Sequence, residues 1–228
     1  MIYIGLDDTD IVDWERGTGK LARQMGDELG RFGSVFGISR HQLLNDPRVP
    51  MTKRNSSACI HLQGQADLDE LGRFVADYVK AASPDGSDPG VCVARRIPAA
   101  ITAFGRRAQT ELVRQQEARQ LAAEHGLFLR GLGGTEDGVI GALSAVGLGA
   151  SGQDGRFILV GTIRELDGIQ SIAAVLAAGI TAVLDVDGHP IAEGLIDTGG
   201  KLRPALRDGR PVLYVERGDP HWLPLKLG

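Results

Sequence analysis

Three carboxylates fall within four residues at Gly5-Leu6-Asp7-Asp8-Thr9-Asp10. Ionised together they repel one another, and so compact a cluster is comfortable only when a cation or several backbone donors neutralise it. The bland alternative is a solvated acidic turn in which Asp7 or Asp10 caps a helix. Gly17-Thr18-Gly19-Lys20 follows at the expected start of a helix. Backbone N–H groups there attract phosphate, the glycines allow close approach, and Lys20 adds a point charge. The stretch is not a P-loop, which needs G-x-x-x-x-G-K-[ST]; Leu21 follows Lys20. Read alone, it is a helix N-cap.

Two further segments carry polar chemistry. Gly131-Leu132-Gly133-Gly134-Thr135-Glu136-Asp137-Gly138 leads into a helix rich in small residues. Gly133, Gly134, Thr135 and Gly138 could admit a phosphate, or Thr135 could simply cap the helix while Glu136 and Asp137 complement its dipole. The loop 47–57 contains Lys53, Arg54 and Asn55, the densest basic pair beside so many hydrogen-bonding side chains. Solvated loop and substrate contact are both open readings there.

Elements of both periods must position these residues. Ile2 to Leu6 is a short apolar run that reads as a buried strand, which puts the acidic cluster at a carboxyl end, where ligands bind in open α/β sheets. Leu21, Met25 and Leu29 recur at helical spacing and predict about four turns, ending near Gly30 or Gly33. Strands are expected at 34–39, 58–62 and 91–94, with a helix through Leu68, Leu71, Val75 and Val79 between the last two. Residues 98–124 are helical in character, interrupted at Gly105, and a strand at 127–129 precedes the glycine-rich loop. The Gly/Ser/Asp/Gln stretch at 149–155 is the expected linker. Beyond it a strand at 157–160 and a helix at 168–178 are expected. The class is α/β or α+β, with a main domain over 1–150 and a smaller one over 151–228.

The 228 residues carry 43% apolar and 24% charged side chains and a formal net charge of −4, a globular balance without a basic run. That composition lacks the electrostatic footprint of a protein that wraps duplex nucleic acid. Cys59 and Cys92 have no C-x-x-C spacing, which excludes a zinc ribbon from this chain alone and suits two reduced thiols in a cytosolic protein. The five histidines show no metal-ligand spacing. The most apolar stretch, 172–184, is shorter than the ~20 residues of a membrane span. The expectation is a cytoplasmic protein with no membrane contact.

Taken in order, the motifs resemble those of the archaeal tRNA-isoleucine agmatinylcytidine synthase (TiaS) family. That family's Gly-Ile-Asp-Asp-Thr-Asp loop differs from Gly5–Asp10 only at Leu6, and its proline loop is similar to 47–56. Its Gly-x-Gly-Arg-Gly-Leu-Ile-Gly-Ala-Leu loop-helix looks like 134–143, and its Pro-Val-Leu-Tyr-Gly-Ile-Arg-Gly stretch is echoed at 211–218. The resemblance implies a kinase-like ATP-binding domain followed by a ferredoxin-like one. It also implies Asp7, Asp8 and Asp10 as the magnesium-binding and catalytic set, with Thr18 the counterpart of a phosphorylated threonine. Phosphoryl transfer suits that set, because it needs cations to bridge phosphates and a positioned nucleophile.

There are departures. Arg16-Gly17-Thr18-Gly19 replaces the family's Gly-Met-Cys-Thr-Thr, Thr52-Lys53 reverses its Lys-Thr, and Asp137 stands for its arginine. The sequence contains neither the family's oligonucleotide-binding fold nor its zinc ribbon. The reading that results is an ATP- and magnesium-dependent phosphotransferase or ligase-like enzyme acting on a small molecule. Gly17, Gly19, Lys20, Gly133, Gly134, Thr135 and Gly138 would then cradle phosphates, and Lys53, Arg54 and Asn55 would face the substrate. No tight tRNA binding is expected from this chain alone. Its rivals are a partner-assisted tRNA-modifying enzyme, a non-enzymatic nucleotide-binding module, and a haloacid-dehalogenase-type phosphatase built on Asp8-x-Asp10-x-Val12.

Overall fold

The computed structural model describes residues 1–52 and 54–225. They form two compact units, Met1–Ser151 and Gly152–Gly228, of mixed α/β (α+β) character.

The first unit is built on an antiparallel sheet. Its strands are β1 (Ile2–Asp7), β2 (Ser34–Gln42), β3 (Ser56–Gln63), β4 (Gly90–Ala94) and β5 (Phe128–Gly131), in the order β5-β4-β1-β3-β2. β1 is central, and alternation along it decides which side chains meet which layer. Ile2, Ile4 and Leu6 point to one face with Ile38, Ile60 and Val93. Two amphipathic helices, α1 (Thr18–Glu28) and α2 (Leu68–Ala82), pack there through residues such as Leu21, Met25, Leu71 and Val75. α1 runs 11 residues, about three turns, before a single 3₁₀ turn at Leu29–Arg31. It is thus a turn shorter than its apolar spacing suggests.

Tyr3, Gly5 and Asp7 point to the opposite face of β1, which is covered by α5 (Gly138–Ser151). This helix is buried on nearly every side, as its lack of polar residues demands. It lies against the strands at backbone distance. A Cβ on Gly5 would come 2.0 Å from the Ala142 carbonyl oxygen, and one on Gly90 2.1 Å from the Gly138 carbonyl carbon. Helices α3 (Ala99–Thr110) and α4 (Gln115–Glu124) pack outside α5. The break between them falls at 111–114, whereas Gly105 sits inside α3. Its missing side chain serves packing, because a Cβ there would lie 2.9 Å from Leu148 Cγ and 3.0 Å from the Ser144 carbonyl oxygen.

The second unit contains β6 (Arg156–Val160), β7 (Ile169–Ser171), α6 (Ile172–Ala177), β8 (Ala182–Leu184), β9 (Leu195–Asp197), β10 (Ala205–Arg207), β11 (Arg210–Arg217) and β12 (Trp222–Pro224). Its strand order is β6-β10-β11-β12-β9-β7, with β8 parallel to β11. α5 continues through Ser151, so the first three residues of the expected linker are helix. The helix expected over 168–178 is in part a strand. Residues 169–171 pair with Leu195–Asp197, and Ser171 Oγ accepts the Ala174 N–H at 3.1 Å, which starts the helix only at Ile172. Among the described residues no helix is long and apolar enough to cross a membrane.

Candidate active site

The carboxyl end of β1 opens into a cavity of about 440 Å³ within the first unit. Asp7 is the last residue of the strand and points to the α5 side. A Cβ on Gly141 would lie 1.7 Å from its Oδ2, so the carboxylate occupies the room that the glycine leaves in the first turn of α5. Asp8 turns the chain in the left-handed region at φ 53°. Asp10 comes close to Gly17, whose Cβ would stand 3.3 Å from Asp10 Oδ2. The three aspartates line one end of the cavity together with Thr18.

Two carboxylates from distant parts of the chain join them. Asp88 precedes β4 and Asp137 immediately precedes α5, and both line the cavity beside Asp8. Neither was singled out as a site residue from sequence. The signal was positional: each stands at the mouth of an element that flanks β1. The electrostatic consequence is large. Burial, then the Asp8 and Asp10 charges, push the Asp7 carboxyl up to about 8, against an opposing hydrogen bond from the Asp8 backbone. Burial, then the charges of Asp88, Asp10 and Asp137, raise Asp8 to about 6. Among the described residues, the acidic and histidine side chains whose ligand atoms lie within 4.8 Å of one another are Asp185, Asp187 and His189 of the second unit; in the cavity a divalent cation would have to draw the aspartates together, replacing their mutual repulsion with attraction.

Thr18 is the first residue of α1, with Gly17 at the N-cap, and both Thr18 and Thr9 are buried. The Thr9 hydroxyl donates to Thr18 Oγ1 at 3.1 Å, holding the acidic loop to the helix start. Gly17, Gly19 and Lys20 do not line the cavity, and Lys20 is exposed.

The glycine-rich loop also spends its donors internally. Thr135 N–H is taken by Asp88 Oδ1, Glu136 N–H by the Gly133 carbonyl at 3.1 Å, and Gly138 N–H by the Asp88 carbonyl at 3.1 Å. Val139 and Ile140 donate to the Glu136 and Asp137 carbonyls at 3.3 and 2.9 Å. Of the expected phosphate-cradling residues in this loop, Thr135 and Gly138 line the cavity, and Gly133 and Gly134 do not.

The far wall comes from the 43–56 loop and the α3–α4 turn. Leu44, Val49, Met51 and Leu112 make it apolar, with Arg48, Arg54 and Arg114 among them. Asp46 takes the Arg48 guanidinium through two hydrogen bonds of 2.8 Å. Arg54 and Arg114 have no ion-pair partner among the described residues. Asn55 donates from its amide to the Leu44 carbonyl at 2.8 Å and accepts the Leu43 N–H on its own carbonyl at 2.9 Å, so it shapes the loop. Lys53 lies outside the described residues.

This architecture has counterparts among solved structures. No family model and no curated protein matches the sequence. A TiaS–tRNA(Ile2)–ATP complex matches over 64% of this chain and 36% of that one, with 23% identity and a TM-score of 0.56. The fold is TiaS-like. A tRNA fluorescent labelling enzyme matches with the same TM-score of 0.56 and 23% identity, over 64% of this chain and 35% of that one. A TiaS–tRNA(Ile2)–AMPCPP–agmatine complex matches at 21% identity and a TM-score of 0.54, over 64% and 35%. The present chain thus spans about a third of the length of these TiaS-like neighbours. At such identities the likeness is one of fold.

Proposed function

We propose that the first unit is an ATP- and magnesium-dependent phosphoryl-transfer enzyme, ligase-like in use, whose acceptor is a small molecule bound in the cavity. The convergence of Asp7, Asp8, Asp10, Asp88 and Asp137 on one end of that cavity carries the reading. The ionised carboxylates among them repel a bare triphosphate, so the nucleotide must arrive with its charge neutralised. Asp7, Asp8 and Asp10 would hold magnesium, whose chemistry is to bridge phosphate oxygens and spread the charge that develops on them. Among the described residues, Arg54 and Arg114 are cavity cations without an ion-pair partner that could meet anionic groups directly. In the reaction the bond between the γ-phosphorus and its bridging oxygen would break, a bond from the acceptor atom to that phosphorus would form, ADP would leave, and the acceptor's proton would pass to solvent. The neighbours solved with ATP and AMPCPP support nucleotide use, and the TiaS-like fold favours this over the phosphatase reading.

The test is thermal stabilisation by ATP with magnesium and with chelator, followed by ATP cleavage in the presence of metabolite pools. ATP should raise the melting temperature only when a divalent cation is present, by mass action on the native state. Equal shifts with and without chelator would remove the metal from the argument. The neighbours solved with tRNA motivate a second arm. At about 150 mM salt, total tRNA should bind no tighter than the ~10 μM of weak non-specific association. Saturable sub-micromolar binding would instead overturn the small-molecule reading and point to a partner-assisted tRNA enzyme.

A further inference from the structure

We propose that Asp88 is a positioning residue of this site, which keys the glycine-rich loop at 131–138 to the carboxylate cluster. The inference rests on the phosphoryl-transfer reading above. Asp88 grips the loop at two points, its Oδ1 accepting the Thr135 N–H and its carbonyl accepting the Gly138 N–H at 3.1 Å. The next carbonyl, of Pro89, takes the Leu132 N–H at 2.8 Å. The loop is shaped around the side chain. Gly134 stands at φ +58°, and a Cβ there would lie 1.7 Å from Asp88 Oδ1. Glu136 follows in the left-handed region at φ 63°. The Thr135 N–H is the loop amide that the Asp88 carboxylate takes, while the Glu136 N–H turns back to the Gly133 carbonyl.

The same carboxylate faces the cavity beside Asp8, where its charge is the foremost electrostatic influence on that residue. Asp88 therefore has two separable properties: an acceptor oxygen that fixes the loop, and a charge that adds to the field felt by a cation. Asn keeps the first and loses the second, whereas Ala loses both. A residue that only braces the fold would show no such division.

The experiment compares wild type, Asp88→Asn and Asp88→Ala as full chains. It measures ATP binding at saturating and limiting magnesium, and hydrogen exchange of the loop amides. Asp88→Asn should keep Thr135 protected and raise the magnesium needed for half-maximal ATP binding by fivefold or more. Asp88→Ala should lose protection at Thr135 and weaken ATP binding tenfold or more even at saturating magnesium. ATP binding by the wild type that neither substitution changes overturns the inference alone. A wild type that binds no ATP overturns the parent reading, and this one with it.

Discussion

Replacing Asp7 by Asn should stabilise the metal-free chain by an amount that grows as pH rises from about 3.8 to about 8. The group's folded value is raised, to about 8 from an ordinary 3.8. A raised acid contributes stability that is fully present below about 3.8 and is lost as pH rises through about 8, because the unfolded chain ionises freely while the folded one cannot. That interval is worth roughly 6 kcal/mol at about 1.36 kcal/mol per pH unit. Asp7 borders the cavity, so water and small movements of its acidic neighbours return more than half of it, leaving about 2 kcal/mol. Asn has the same shape and fits the space beneath Gly141. At pH 8.5 in chelator the first unit of the variant should melt about 4–8 °C above wild type, since 1 kcal/mol moves a domain of this size by roughly 2–4 °C. At pH 4, where the wild-type carboxyl is also neutral, the difference should shrink to within error. Differential scanning calorimetry at the two pH values measures it. A variant less stable than wild type at pH 8.5, or one whose gain is the same at both values, refutes the reasoning.

Three further outcomes follow from the geometry. Asp8→Asn should cut ATP turnover by about 10²-fold or more while the chain stays folded, the scale of a lost electrostatic contribution to a transition state; normal turnover would remove Asp8 from the chemistry. Gly141→Ala puts a methyl 1.7 Å from Asp7 Oδ2, so it should abolish metal-dependent ATP binding and lower stability by about 1–3 kcal/mol, the range for overpacked sites. An unchanged melt would mean that α5 can lift off β1 freely. His61 titrates with the opposite sign to Asp7. Burial, then the nearby His41, lowers it to about 3 from 6.5, so the unfolded chain gains a proton first and stability falls as pH drops below about 6.5. Denaturation series at pH 7 and 5 should show a loss of up to about 2 kcal/mol at about 1.36 kcal/mol per pH unit, absent in His61→Asn.

The part of the site legible in the sequence is the part that is contiguous in it. Asp7, Asp8 and Asp10 end an apolar strand, and local spacing sufficed to put them together. Asp88 and Asp137 reach the cluster because β4 pairs beside β1 and α5 crosses over it, neither of which local periodicity encodes. The phosphate-cradle reading of the glycine-rich loop faced the same difficulty: whether a loop's N–H groups are free depends on what lies opposite, and here that is Asp88. Periodicity found the helices well where one face was polar. It misled at Gly105, where a glycine inside a helix signals a close neighbour and not a break. It also misled at 169–171, where three residues of strand pairing precede a cap.

The seam between α5 and the strands has a use beyond holding the site together. At Gly5, Gly90, Gly138 and Gly141 any side chain would meet backbone or the Asp7 carboxylate within 2.2 Å, so these positions are closed to every other residue while the helix stays seated. Four glycines and Asp7 together therefore fix where α5 can sit, and a chain with bulk at two of these positions must have moved its helix and, with it, the acidic end of its cavity.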